Sequence, residues 1–362
     1  MTLPTSSSCV PRRLDWPKPA TRQLYWRYNR ARKTHASAAS FEELKISSRA
    51  WLRLELDKFR RFLISTSTPN ISRHHPLHKP KTNSINSDYQ TPPTATPMPT
   101  HALLGATGST GSAILRHLLT HPPSEPLNLK VFIRSKTKLL ELFPALSDPS
   151  THSPKLQIQI TSAPLTDTAA LTSCLRDAEI IYQCIATNDA APGTRVARDA
   201  ADAVIGALQT LREQNSDCKV PTLLLLRSVS LNPSFRPQTP WLQDAIVHFC
   251  LHSVYTDLAA AGERYVTAAA EGLFEYVFVD PGALHDSQGT EGTGFELSVG
   301  EAPKRGLVGY ADLGAAFVAI AGRKGEFEGK GVGVDGTGTV RTEWGTLAWY
   351  NLRGVWGRVS GW

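Results

Sequence analysis

From residue 101 onward, apolar positions recur with two alternating periods. A short apolar run ends at His101–Leu104, and Ile114, Leu115, Leu118 and Leu119 then recur at helical spacing. Between them stands Gly105-Ala106-Thr107-Gly108-Ser109-Thr110-Gly111, so the pattern predicts a buried strand turning through glycines into an amphipathic helix. Leu129–Ile133 reads as a second strand. Leu156–Thr161 alternates as a third, with Asp167 in the turn before a helix through Leu171, Cys174 and Leu175. Glu179–Thr187 is expected to be a buried strand ending beside the glycine turn. Residues 193–213 form a helix with Val196, Ala200, Ala203, Val204, Ala207, Leu208 and Leu211 on one side. Leu223–Leu226 is a fifth strand, running into Arg227-Ser228-Val229-Ser230.

A proline-bearing loop, Asn232–Pro240, leads to a helical region, and Tyr255–Ala270 is a helix. Phe274–Val279 is a sixth strand, closed by Asp280-Pro281-Gly282. Segment 283–309 is rich in glycine without a clear period and is expected to loop over the ligand crevice. Tyr310–Ala321 is a helix with Asp312 near its cap. In the tail, Trp349, Leu352, Trp356 and Val359 share one helical face; packing onto the domain is the expectation, and an interface or membrane-surface role the alternative. Strands alternating with helices of this length imply right-handed crossovers and a parallel sheet. The predicted fold class is α/β, a doubly wound parallel sheet in a single domain, with a small loop-rich substrate region and a disordered N-terminal extension.

The chain of 362 residues carries a formal charge of +7, but the charge is uneven. Residues 1–100 hold 17 Lys or Arg against 6 Asp or Glu, while residues 101–362 hold 22 against 26. The part that reads as folded is mildly acidic, so no nucleic-acid surface is expected. Residues 1–41 have the basic, Ser- and Thr-rich balance of a mitochondrial transit peptide, with a flexible basic tail as the other reading. Phe41–Ile64 reads as a helix and residues 65–100 as a disordered linker. The domain division expected is 1–97 extension, 98–340 nucleotide-binding domain and 341–362 Trp-rich tail. Met98 stands just before the first strand, which suggests a functional start there. Five widely spaced cysteines suit a reducing compartment and no metal site. With no long apolar stretch, the expected location is cytoplasmic, or mitochondrial if residues 1–41 direct import.

The glycine turn carries the first chemistry. A strand-to-helix turn leaves backbone N–H groups without partners and aims the positive end of the helix dipole at one point, where a pyrophosphate binds. Gly105, Thr107, Gly108, Ser109, Thr110 and Gly111 are the candidates for that contact; a tight turn without ligand is the alternative. The second strand ends in Arg134-Ser135-Lys136-Thr137-Lys138, where an NAD site places a carboxylate and a 2′-phosphate needs a cation. Cations are present and the carboxylate is absent, so NADP(H) is preferred and NAD(H) is second. Ala186, Thr187 and Pro281, at strand ends facing the crevice, complete the cofactor set. His248, His252 and His285 are expected near the crevice.

The glycine turn, the Arg134 and Ser228 strand ends, Tyr255 with Glu263 beyond it, and Val279-Asp280-Pro281-Gly282 together resemble an atypical short-chain dehydrogenase/reductase of the NmrA-like fungal NAD(P)-binding group. The resemblance covers about residues 100–340 and implies a Rossmann fold. It also implies that Ser228 orients a substrate carbonyl while Tyr255 exchanges the proton, helped in that superfamily by a Lys four residues on. Here that position is Ala259, and Asp257 is expected to oppose ionisation of the phenol if it lies close. The implied function is an NAD(P)H-dependent oxidoreductase acting on a small organic, secondary-metabolite substrate. Its alternative is a non-catalytic NADP(H)-binding regulator or redox sensor, and epimerase or lyase chemistry on the same fold is a third. A homodimer is compatible with the sequence.

Overall fold

The computed structural model describes residues 98–215, 219–286 and 289–360. Contacts divide the chain into two units, Met1–Tyr89 and Gln90–Trp362, and every described residue belongs to the second. The expected 41–64 helix, the basic segment 1–41 and residues 65–97 of the linker lie outside the described residues. Thr100, placed in the linker by composition, already begins the first strand.

β1 (Thr100–Leu104) passes through the glycine turn into α1 (Ser109–Thr120), followed by β2 (Leu127–Ile133) and α2 (Lys136–Leu142). β3 (Leu156–Ser162), α3 (Thr168–Leu175), β4 (Ile180–Gln183), α4 (Val196–Gln214) and β5 (Thr222–Leu226) continue the alternation. Two 3₁₀ turns then precede α5 (Trp241–Cys250), α6 (His252–Ala270) and β6 (Glu275–Pro281). The remainder is β7 (Ala283–His285), β8 (Phe295–Val299), β9 (Leu307–Gly309), α7 (Tyr310–Gly322), α8 (Lys324–Phe327), β10 (Gly331–Gly336) and α9 (Trp344–Ser360).

The main sheet has the order β3-β2-β1-β4-β5-β6-β10-β8. The chain steps outward from β1 to β3 and then resumes on the other side of β1, so the topological switch lies between β1 and β4. Ala102 pairs with Ile181 across it in parallel register. Alternation of side chains along the strands builds two cores. Leu103, Val131, Tyr182, Leu224 and Val277 face α1 and α7, where Ile114, Leu115, Leu313 and Phe317 close the layer. Leu104, Ile181, Leu223, Leu225 and Phe278 face the other way, against α3, α4 and α6. Both faces are covered, as a parallel sheet requires. The doubly wound fold expected from the sequence is therefore present, with the crevice at the carboxyl ends of β1, β4 and β5.

Three local expectations are corrected. Segment 283–309 is not loop throughout: β7 pairs with β9 in a small parallel sheet, and β8 joins the main sheet as its antiparallel edge strand. β10, which no apolar period announced, fills the gap between β6 and β8. The strand expected over 179–187 stops at Gln183. A fourth correction concerns the tail. Trp349, Leu352 and Trp356 of α9 are not buried against the domain as expected but stay 62%, 64% and 68% exposed. The helix docks through its small residues: a side chain at Gly354 would collide with the Cys250 carbonyl, and Gly357 lies against Pro192.

Candidate functional site

The glycine turn is shaped by backbone crowding. Gly105 has φ +87°, and a Cβ there would stand 3.1 Å from the Cys184 carbonyl at the end of β4. A Cβ at Gly111 would collide with the Gly105 carbonyl, so α1 can begin this close to β1 only without a side chain. Gly108 is the N-cap of α1, and neither a side-chain cap nor an acidic residue occupies the first turn. Gly108 and Ser109 are exposed, Thr107 is half-buried and Thr110 is buried. This is a helix N-terminus with open donors and no competing negative charge, which fits a pyrophosphate.

At the end of β2, Arg134, Lys136 and Lys138 are all exposed. Ser135 is the N-cap of α2 and accepts from the Lys138 N–H at 3.2 Å. The strand is tied to the turn by the Gly105 N–H, 3.4 Å from the Phe132 carbonyl. No carboxylate occurs from 134 to 140, so this end of the crevice carries three cations and no anionic side chain.

On the other side of the switch point, Ile185, Ala186, Arg227, Gly262 and Phe278 line a cleft between the ends of β4 and β5 and the helices α4 and α6. Gln183 lies in its wall, donating to the Tyr265 hydroxyl at 3.0 Å, while its buried Oε1 makes no hydrogen bond. Just past Arg227, Ser228 Oγ and Tyr255 Oη meet at 3.0 Å, although 27 residues apart. Burial pushes the Tyr255 phenol above the ordinary tyrosine range, with hydrogen bonds to Ser228 and Ser230 pulling the other way. The phenol therefore keeps its proton at neutral pH and is set to donate it. Thr187 accepts from the Asp189 N–H at 3.0 Å and shapes the loop after β4. Pro281 is buried as the last residue of β6, within the sheet and paired with Val334.

Around the phenol the charged groups are arranged differently from the expectation. Asp257 does not face it. Its buried carboxylate accepts from the Ala197 and Arg198 N–H groups at 2.8 and 3.2 Å and from Arg198 Nε at 3.0 Å, capping α4 from a distance. Arg264 donates to Asp202 of α4 at 2.6 Å. Position 259 contributes only a half-buried alanine. The ring that meets Tyr255 is His248, edge-on with centroids 5.3 Å apart, its Nε2 3.2 Å from Asp244 and 3.1 Å from the Ser230 carbonyl. His252 is exposed at the start of α6. His285 is fully buried, accepting from the Glu343 N–H at 3.1 Å, and so belongs to the attachment of α9.

One network escaped sequence reasoning. Arg227 makes a bidentate pair with Asp280, both bonds 2.7 Å, and stacks 3.9 Å above the Phe278 ring; Asn232 donates to the same carboxylate at 2.7 Å. It clamps the end of β5 to β6 immediately before Ser228 and so fixes where that hydroxyl stands. The signal was visible only as two charged residues, Arg227 and Asp280, each closing an apolar strand.

The fold, its switch point and the glycine turn define a dinucleotide-binding Rossmann protein. Residues 105–324 match the NAD(P)H-binding family, and the chain belongs to it. Averufin oxidase A of Aspergillus flavus is 44% identical over 258 residues, 71% of this chain and 89% of that protein. Averufin oxidase A of Dothistroma septosporum is 45% identical over 271 residues, 73% of this chain and 93% of that protein. Oxidoreductase claK of Passalora fulva is 32% identical over 226 residues, 61% of this chain and 78% of that protein. The chain is thus an NAD(P)H-binding protein of an oxidoreductase group.

Proposed function

We propose that the chain is an NADPH-dependent oxidoreductase of the atypical short-chain type, acting on averufin or a similar small organic metabolite. The observation that carries this reading is the Ser228–Tyr255 hydroxyl pair, 3.0 Å apart beside the crevice that the glycine turn opens. The first turn of α1 holds the pyrophosphate; Arg134, Lys136 and Lys138 hold the 2′-phosphate. When bound, NADP(H) supplies or accepts the hydride. Ser228 orients the substrate oxygen, and Tyr255, kept protonated by burial, gives its proton to that oxygen in the reducing direction. The Arg227–Asp280 clamp holds Ser228 in place, and the loop from Cys184 to Thr187 walls the cleft. The names of the relatives support the substrate class.

The second reading, an NADP(H)-binding regulator without turnover, is favoured by Ala259, which brings no ammonium to the phenol. Titration and turnover of the full-length protein decide between them. With averufin as substrate, cofactor-dependent conversion is expected, with Tyr255→Phe lowering kcat about a hundredfold and leaving NADPH affinity unchanged. Arg134→Ala weakens NADPH about tenfold and NADH far less. Tight NADPH binding with no conversion of averufin or of other carbonyl and quinone compounds supports the regulator.

A further inference from the structure

The Tyr255 phenol is placed by a short turn as much as by its own helix. Val229–Leu231 forms a 3₁₀ turn after β5, with Ser228 as its N-cap. Both hydroxyls that bond the phenol, those of Ser228 and Ser230, stand on this turn. Its ends are fixed: the Arg227–Asp280 clamp precedes it, and Asn232, bound to the same carboxylate, follows it. Its middle is held from α5, where His248 Nε2 lies 3.1 Å from the Ser230 carbonyl and 3.2 Å from Asp244 Oδ1. Both of these neighbours are acceptors, so Nε2 carries a proton whether the ring is neutral or charged. Arg236 donates Nε and Nη2 to Asp244 at 3.1 and 2.9 Å and so fixes the carboxylate that aims the imidazole.

A carboxylate bound to an imidazole nitrogen sets both the tautomer and the direction of the ring. Here the directed N–H ends on the backbone of the residue whose hydroxyl meets Tyr255. The same ring lies edge-on to Tyr255, centroids 5.3 Å apart and planes at 76°. Position 259 is alanine, so the phenol depends on hydrogen bonds, not on a neighbouring ammonium, for its placement and ionisation. We propose that His248 is a positioning residue for Tyr255: its Nε2–H holds the Ser230 turn and its ring fences the phenol, so that Ser228, Ser230 and Tyr255 keep one arrangement during proton transfer. This deepens the proposed function and rests on it. Giving its proton to a substrate oxygen leaves Tyr255 a phenolate, to which the two serine hydroxyls donate until a proton from solvent restores the phenol. A turn that drifts loses the Ser230 donor when the negative charge forms.

Two variants of the full-length protein separate the hydrogen bond from the bulk of the ring. His248→Leu keeps an apolar side chain there and removes the donor; His248→Gln supplies an N–H at about the same reach. With averufin and NADPH, the Leu variant is expected to lower kcat at least about tenfold with KM for NADPH unchanged, and the Gln variant to recover most of it. His248→Leu added to Tyr255→Phe is expected to cost nothing further, because it acts through the phenol. A second readout needs no turnover. With 3-fluorotyrosine at position 255, the midpoint at which the fluorine resonance titrates is expected to rise by about one pH unit in the Leu variant and to return in the Gln variant. Equal loss of kcat in the Leu and Gln variants, an added loss on the Tyr255→Phe background, or an unchanged midpoint overturns the proposal. A wild type that converts neither averufin nor other carbonyl and quinone compounds contradicts the proposed function instead, and the fluorine titration then decides by itself whether His248 places the phenol.

Discussion

His101 sits on β1 at the centre of the sheet, its Nδ1 3.1 Å from the Tyr182 hydroxyl, and burial lowers its pKa from 6.5 to about 4. The folded protein therefore binds fewer protons there than the unfolded chain, and stability rises with pH across that interval. The contribution is complete above pH 6.5 and is lost as pH falls toward 4. Replacing His101 by Gln is expected to flatten the pH dependence of urea stability in this window; an unchanged slope contradicts the assignment. At the residue scale the sequence brought out residues at element ends more readily than their spatial neighbours. Ser228 and Tyr255 were legible through the family resemblance, and hydrogen-bond geometry brings the two hydroxyls to 3.0 Å from the segment after β5 and the first turn of α6. Asp257 was not: two positions beyond Tyr255 in sequence, it is turned by roughly 200° around the helix, away from the phenol and toward α4.

At the scale of elements, that same carboxylate acts as a cap supplied in trans. Arg195, the N-cap of α4, makes no side-chain cap bond, and Asp257 supplies the acceptor from α6. Asp257→Ala is expected to cost about 2 kcal/mol in urea unfolding, and Asp257→Asn less; an Ala variant as stable as the wild type would show that solvent serves equally well. The elements found from periodicity were those with one or two continuous apolar faces, such as β5, α4 and α7. β10 was lost because glycine takes alternate positions in Gly331-Val332-Gly333-Val334. The structure gives the reason: a Cβ at Gly331 would run into Asn232, Asp280 and Arg227, and one at Gly333 would stand 2.5 Å from Ser298 Oγ. Clamp and edge strand fill the space that side chains would need, and with it the period disappears. β7 and β9, three residues each, are too short to show one; β8, Phe295-Glu296-Leu297-Ser298-Val299, does alternate, and the glycines on both sides of it, Gly294 and Gly300, hide it in a glycine-rich segment.

Across the described residues, the fold follows from the alternation of strands and helices and puts the glycine turn, Arg134 and Ser228 just past the carboxyl ends of β1, β2 and β5. The exposure of Trp349, Leu352 and Trp356 was beyond sequence reasoning, since periodicity reveals that a face is apolar and not what covers it. The central claim is that the first turn of α1 binds the pyrophosphate of NADP(H). Gly108 allows a direct test. Its backbone, φ −87° and ψ 166°, suits any residue, a Cβ there would make ordinary contact at 3.4 Å, and aspartate is a favoured N-cap. Gly108→Asp keeps the helix and places a carboxylate where the phosphates bind. Calorimetric titration of the full-length variant with NADPH is expected to show affinity reduced about a hundredfold or more, with the unfolding temperature equal to or above that of the wild type. Wild-type NADPH affinity in that variant would place the cofactor elsewhere and contradict the account.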